Sequence, residues 1–143
     1  MAAHPLEPVP QPVAFFLADY AAVENGKVYT SGAFWNRMLV VEFPSVQQLS
    51  VVVVFDVPFS AHGHSFTFTI RFEDADAQQL GPRINGQMDV GQTGDGRLGD
   101  ESVIPFVARV EGLVLPEPGD FSAVLEIDGG IIARWPFRAA TAQ

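Results

Sequence analysis

The sequence predicts an all-β protein, a two-sheet antiparallel β-sandwich of about eight or nine strands with either immunoglobulin-like or jelly-roll topology. Three observations predict this class. Apolar and polar residues alternate in several segments, Gly and Pro recur at short intervals between those segments, and no window keeps the period of an amphipathic helix. We therefore expect a single β domain without helical subdomains.

The chain is predicted to divide into an arm, one domain and a tail. Residues 1–12 contain four prolines, which fix the backbone φ angle and remove hydrogen-bond donors, so this segment is predicted to form an extended N-terminal arm. The β-sandwich domain is predicted over 13–138, and a short frayed tail over 139–143. A chain of 143 residues has the usual size of one domain.

The N-terminal half opens with a predicted hairpin. Strands over 13–20 and 27–34 are joined by Asn25-Gly26, a strong two-residue turn signal because both residues accept positive φ. Two further strands are predicted over 38–43 and 49–57.

The clearest strand is predicted over 65–73, where aromatic and aliphatic residues alternate with polar ones. Phe68 is predicted to face the core and its neighbour Thr67 to face solvent. Two more strands are predicted over 84–90 and 103–113.

The C-terminal part is predicted to form a hairpin over 120–138 that turns at Gly129-Gly130. Pro136 lies inside its second strand and cannot donate to a neighbouring strand, so it requires an edge position or a bulge. Residues 91–100 contain four glycines and almost no apolar anchor, and they are predicted to form a surface loop.

The charge balance restricts the partners. The chain has 17 acidic and 8 basic side chains and a formal net charge of -9, which repels phosphate backbones and anionic lipid. We therefore expect no nucleic-acid partner and no membrane partner. No apolar run approaches the roughly 20 residues of a bilayer span, and no signal-peptide pattern is present. Cysteine is absent, so disulfides and a Cys nucleophile are excluded, and we expect a cytoplasmic protein.

Short motifs near both ends resemble those of a known family. They are Phe16-Leu17-Ala18-Asp19-Tyr20, Gly26-Lys27-Val28-Tyr29, Ser31-Gly32-Ala33-Phe34-Trp35 and the later Gly119-Asp120-Phe121. In this order they resemble the opening strands and the closing hairpin of small bacterial β-sandwich proteins known only as a domain of unknown function. The resemblance implies a compact β-sandwich, and it implies no established activity, substrate or catalytic residue.

The strand over 49–57 is apolar on both faces. Alternate residues from Leu49 to Val57 form one apolar face, and Val52 and Val54 make the opposite face apolar as well. An antiparallel strand normally presents polar residues to water on its outer face, so these two valines need a cover. Either the arm or a loop of the same chain covers them, or they form an interaction face with a protein partner or a second copy, with Val124 as a neighbour.

His62 and His64 are the candidate metal ligands. Imidazoles two residues apart lie on the same side of an extended chain and can share Zn²⁺, Ni²⁺ or Cu²⁺. A third ligand is missing from the local sequence, and a hairpin loop turning at Gly63 explains the same residues. Acidic residues at predicted strand ends leave a Ca²⁺ site open, although solvated turns explain them equally. Apart from such a divalent metal, no cofactor is predicted.

No motif predicts catalysis. The serines lack a Gly-x-Ser-x-Gly elbow, and the glycine-rich stretch 91–100 is not followed by a helix that could hold phosphate. Trp35, Trp135, Tyr20 and Tyr29 lie in apolar-patterned strands and are interpreted as aromatics that fill the core or close its ends, with a stacking platform for a sugar or peptide as the alternative. No catalytic residue is assigned.

The sequence favours a non-enzymatic protein-interaction or assembly module, with self-association as one form of assembly. A β-sandwich that binds a small ligand, a sugar or a divalent metal is the alternative, and the sequence names no partner.

Overall fold

A computed structural model describes residues 9–61, 63–90 and 102–142. Within these residues the chain forms nine strands and a single turn of 3-10 helix at Phe59–Ala61, without any α-helix. The strands are β1 Gln11–Glu24, β2 Lys27–Ala33, β3 Arg37–Val40, β4 Ser45–Val57, β5 Ser65–Asp74, β6 Gln79–Asp89, β7 Ser102–Leu115, β8 Gly119–Ile127 and β9 Gly130–Thr141. The predicted all-β class is confirmed.

The strands form two sheets. Sheet A has the order β2-β1-β4-β7, and sheet B has the order β3-β9-β8-β5-β6. The prediction of purely antiparallel sheets is wrong at one position, because β3 runs parallel to β9. The chain crosses from β2 in sheet A to β3 in sheet B through only residues 34–36, so β3 is not the returning arm of a hairpin and need not run antiparallel to its neighbour.

One main core draws side chains from both sheets. The ring of Phe55 on β4 lies 5.2 Å from that of Phe68 on β5, and the Phe68 ring lies 4.8 Å from that of Phe106 on β7, measured between centroids. Phe68 is buried and Thr67 is exposed, as the alternating pattern of β5 predicts. The inner residues of β4 belong to the same core, namely Leu49, Val51, Val53, Phe55 and Val57.

Both predicted domain boundaries lie inside strands. β1 begins at Gln11, and Pro12 pairs with Phe55, so the end of the predicted arm belongs to sheet A. β9 continues to Thr141, which pairs with Val40, so 139–141 is a strand and not a frayed tail. Cross-strand hydrogen bonds order these ends, and composition alone does not reveal them. Residues 1–8 and the predicted loop 91–100 lie outside the described residues.

The predicted turn position is confirmed in the β1–β2 hairpin and is wrong by one residue in the β8–β9 hairpin. Asn25 and Gly26 have φ angles of 52° and 72°, as a tight turn with two positive φ values requires. The C-terminal hairpin turns at Asp128-Gly129 rather than at Gly129-Gly130, because Gly130 already pairs with Ile127.

Pro136 occupies a locally unpaired edge. Its neighbour β3 pairs with β9 only from Arg138 onward, and the Arg138 N–H donates to the Asn36 carbonyl at 2.9 Å. Amides two residues apart in a strand point the same way, so an N–H at position 136 would point to the β3 side, where no strand of the described chain pairs with it.

Candidate functional site

Val52 and Val54 do lie on the outer face of sheet A, but they differ in burial. Val52 pairs with Phe16 on β1 and Val107 on β7, and it packs in a small second cluster with Phe16 and Ala18. Its side chain is fully buried within the single chain, whereas Val54 is only partly buried. Val52 is therefore not available as a direct surface contact.

Val124 is not a neighbour of Val52, because it lies on β8 in sheet B. It too is fully buried, and its register partners are Arg71 and Arg134. These arginines belong to an ion-pair network on the same strands, so the outer face of sheet B around Val124 is charged and not apolar. The three predicted interaction residues consequently do not form one surface.

The network is centred on Glu73 and Arg71. The Arg71 guanidinium donates to Glu73 at 2.8 Å and to Glu126 at 2.6 Å, and Arg134 donates to the second Glu73 oxygen at 2.9 Å. Burial of the Glu73 carboxyl opposes its ionisation, but the hydrogen bonds from Arg134 and Arg71 outweigh that effect and hold the pKa of Glu73 below its ordinary value. The carboxylate stays ionised, and both of its oxygens are occupied.

The predicted metal pair is only half described. His62 lies outside the described residues. His64 is exposed. Its backbone N–H donates to the Ala61 carbonyl at 3.2 Å, and its backbone carbonyl accepts from the Val90 N–H at 3.0 Å. In the part of the chain that the structure describes, no three His, Cys, Asp or Glu side chains are grouped so as to hold a metal ion.

An exposed aromatic residue stands where β2 ends. Phe34 is 64% exposed and has a φ angle of 68°, in the left-handed region that costs a non-glycine residue about 1–2 kcal/mol. Its ring stacks on Phe16 with centroids 4.1 Å apart and meets the edge of Trp135 at 6.2 Å. The structure thus exposes a large apolar ring to solvent on a residue whose positive φ angle residues other than glycine normally avoid.

The backbone around Phe34 explains how this geometry is reached. Gly32 has a φ angle of 66°, and a Cβ at this position would displace the Asp19 carboxylate, so glycine is favoured here. The Phe34 N–H donates to the Leu17 carbonyl at 3.0 Å, which ties the residue to β1. Arg109 on β7 donates to the Asp19 carbonyl at 2.6 Å and anchors the same stretch from the far edge of sheet A.

Two tyrosines on the β1–β2 hairpin are also exposed. Tyr20 and Tyr29 are 56% and 53% exposed, so they do not fill the core, which was one of the two roles predicted for them. Trp35 and Trp135 are partly buried and pack against the main core, as predicted, and Trp135 donates from Nε1 to the Trp35 carbonyl at 3.0 Å. We call Tyr20, Tyr29 and Phe34 the hairpin patch.

The sequence reasoning missed Phe34, although a signal was present. Phe34 and Trp35 are consecutive, and successive side chains of an extended strand point to opposite faces. Two adjacent bulky aromatics therefore cannot both enter one core. Which of them stays outside depends on the left-handed turn at Phe34, which the pattern does not reveal.

A polar groove lies at the end of sheet B where β8 and β9 pair. It has a volume of about 440 Å³ and is lined in part by Asn36, Ser122, Arg134 and Arg138. Arg138 donates to Asp120 at 2.9 Å, and this hydrogen bond, with the attraction of the charges, lowers the pKa of Asp120. Both arginines of the groove already have carboxylate partners.

The comparison with protein families matches residues 13–140 to the model of a family of unknown function, DUF6941. The chain belongs to this family. No curated protein matches the chain. The family assignment agrees with the motif resemblance in that both point to a family of unknown function, and it adds no activity.

Within residues 9–61, 63–90 and 102–142, no helix is long and apolar enough to cross a bilayer.

Proposed function

We propose that this protein is a non-enzymatic protein-interaction module that binds its partner through the hairpin patch. The observation that carries the proposal is Phe34, an apolar ring that is mostly exposed and held in a strained backbone conformation. Strained residues persist where the surrounding structure enforces them, and such residues concentrate at functional sites.

The chemistry of the hairpin patch suits a protein partner. Tyrosine and phenylalanine are enriched at the centres of protein interfaces, where their rings bury large areas with few rotatable bonds. Phe34 stacks on the buried Phe16, so its ring is already oriented before any partner arrives. Little side-chain entropy would then be lost on binding.

The local charge also favours association at this place. The whole chain carries a net charge of -9, but residues 11–33 of the hairpin contain two acidic side chains, Asp19 and Glu24, and one basic side chain, Lys27. The hairpin is therefore close to neutral, and a protein partner meets little of the repulsion that the acidic remainder produces. The same overall charge supports a protein partner over nucleic acid or an anionic membrane. A cytoplasmic setting and a sandwich arrangement of the two sheets are part of this proposal.

Two matched variants test the proposed function. Phe34→Asp places a charge in the hairpin patch, and Leu39→Asp places the same charge on β3 at a side chain of nearly equal exposure, 66% against 64%. Proteins retained by the immobilised wild type from its native extract are compared with those retained by each variant. We expect Phe34→Asp to lose the specific partners and Leu39→Asp to keep them.

The opposite pattern contradicts the proposal. Equal retention by both variants, or equal loss in both, would show that the hairpin patch is not the contact surface. Melting temperatures of both variants accompany the measurement, so that loss of binding is not confused with loss of folding.

A second candidate function, binding of a small ligand, is favoured by the polar groove at Arg134 and Arg138. Its volume of about 440 Å³ falls within the usual range of ligand sites. Glu73 and Asp120 hold the two guanidiniums, so an anionic ligand would have to displace a carboxylate. Screening by thermal shift with small carboxylates and sugars tests this candidate, and a stabilisation that Arg138→Ala abolishes would support it.

A further inference from the structure

The free edge of β2 differs from the other sheet edges. Strand β2 pairs with β1 on one side, and no other strand that the structure describes pairs with its opposite side. Five of its seven residues are exposed, and it contains neither proline nor a charge after Lys27. Natural proteins usually protect such an edge against pairing with other chains.

The remaining edges carry that protection. Strand β6 contains Pro82 and a shift of register against β5. Strand β7 contains Pro105, and β3 has only four residues. Among the edge strands of the described chain, β2 is therefore the one best able to accept another strand.

The turn identifies which backbone groups of β2 are free. In a two-residue hairpin with positive φ at both turn residues, the flanking pair Glu24 and Lys27 exchanges both backbone hydrogen bonds. Hydrogen-bonded pairs then alternate along the ladder, so Tyr29 points its backbone groups toward β1. Val28 and Thr30 point theirs away from it and can bond to an added strand.

We infer that this edge binds the β2 strand of a second copy, in antiparallel pairing about a two-fold axis at Tyr29. In this register Val28 of each copy lies opposite Thr30 of the other, so the free backbone groups of both copies meet. The two Tyr29 side chains lie directly opposite each other, and such aromatic pairs stabilise a sheet. The inference rests on the proposed function, because it takes Tyr29 of the hairpin patch as the central contact and names a second copy as the partner.

The charges of the two copies agree with this arrangement. Antiparallel pairing brings Lys27, at the start of one β2, to the far end of the other, where the Asp19 carboxylate packs over Gly32. The contact occurs twice by symmetry. A seven-residue edge is at the small end of specific interfaces, below about 1,200 Å² in total, so the dimer is expected to dissociate on dilution.

Sedimentation velocity over a concentration series is the first test. The wild type is expected to shift from monomer to dimer as its concentration rises. Thr30→Pro removes an N–H that faces away from β1, so it should abolish the dimer without breaking a hydrogen bond of the hairpin. Thr30→Val keeps the N–H at the same position and should still dimerise.

A single engineered cysteine gives the second test, which also reports the register. The natural chain has no cysteine, so oxidation can join only the introduced residues. With Tyr29→Cys the two Cα atoms would lie about 4.5 Å apart, within reach of a disulfide. With Ser31→Cys they would lie about 14 Å apart, four residues along the strand, and no cross-link is expected.

The outcomes separate this inference from the proposed function. A wild type that remains monomeric at every concentration overturns the inference, as does a dimer that Thr30→Pro leaves intact, or a failure of Tyr29→Cys to cross-link. If Thr30→Pro unfolds, as judged by circular dichroism, the cysteine pair decides the question. The wild type could be monomeric while its protein partners are lost in Phe34→Asp and kept in Leu39→Asp. This result would contradict self-pairing but not the proposed function.

Discussion

Phe68→Ala removes a ring from the middle of the main core. The Phe68 ring lies between Phe55 and Phe106, with centroid distances of 5.2 and 4.8 Å, and thus joins sheet B to sheet A. It also lies over Gly86 on β6, where a Cβ would overlap the ring. The truncation therefore removes contacts with three strands at once.

The expected loss of stability follows from this environment. Large-to-small substitutions of a buried Phe cost about 3–5 kcal/mol, the sum of lost transfer free energy and the remaining cavity. For a chain of 143 residues the unfolding entropy is about 0.3 kcal/mol/K, so the melting temperature should fall by about 10–17 °C. Rings contributed by both sheets surround the cavity, so little collapse is expected and the value should lie in the upper half of the range.

The control is the next residue, Thr67. Its side chain is exposed and donates one hydrogen bond to Asp128 at 3.2 Å, so Thr67→Ala should cost less than about 1 kcal/mol. Thermal unfolding followed by circular dichroism measures both variants under the same conditions. Equal losses of melting temperature in the two variants would refute the assignment of faces on β5.

Three further predictions concern other parts of the fold. Gly86→Ala should destabilise the protein by about 1–3 kcal/mol, because the added Cβ would overlap the Phe68 ring. Gly119→Ala is the control, since the space around its Cβ is open and no loss is expected. Similar melting temperatures of the two variants would contradict the packing of Phe68 on Gly86. Because folding lowers the pKa of Glu73, its ionised form stabilises the protein above about pH 4.3, and this contribution is lost as the pH falls through the folded pKa. Glu73→Gln should therefore be less stable than wild type at neutral pH and approach it in acid, and a difference that does not vary with pH would refute the role of the charge. His62→Ala together with His64→Ala should leave the melting temperature unchanged without metal, and unchanged Zn²⁺ or Ni²⁺ uptake in calorimetry would exclude both residues as ligands.

Local pattern was sufficient for most of the strands. The alternation in β5 predicts both its position and its inward face, because the side-chain period of a strand does not depend on its neighbours. In the C-terminal hairpin the pattern predicts the strands, but Ile131 is exposed because the register shifts between Leu125 and Glu126. The predicted ends of β1 and β9 were less accurate, because Pro12 pairs with Phe55 and Thr141 pairs with Val40, which are distant in the chain. A one-dimensional pattern contains no information about such partners.

At the candidate site the sequence predicted less than it did for the strands. The apolar outer face at Val52 and Val54 is visible in the sequence, but alternation specifies a face and not what lies against it. The pairing of β4 with β1 and β7 buries Val52, and the register of β8 places Val124 among arginines in the other sheet. The placement of these valines on two separate surfaces was therefore decided by strand order.

By itself the sequence determined the all-β class, the inward face of β5, the Asn25-Gly26 turn and the acidic charge, since each depends on residues close together in the chain. The tertiary structure alone decided that Phe34 is exposed, that β3 runs parallel to β9 and that β2 is an open edge among the described strands. Each of these features requires two segments distant in sequence to meet, or one backbone angle to take a rare value. The free energy that selects them comes from packing and hydrogen bonding between strands, which no local pattern contains.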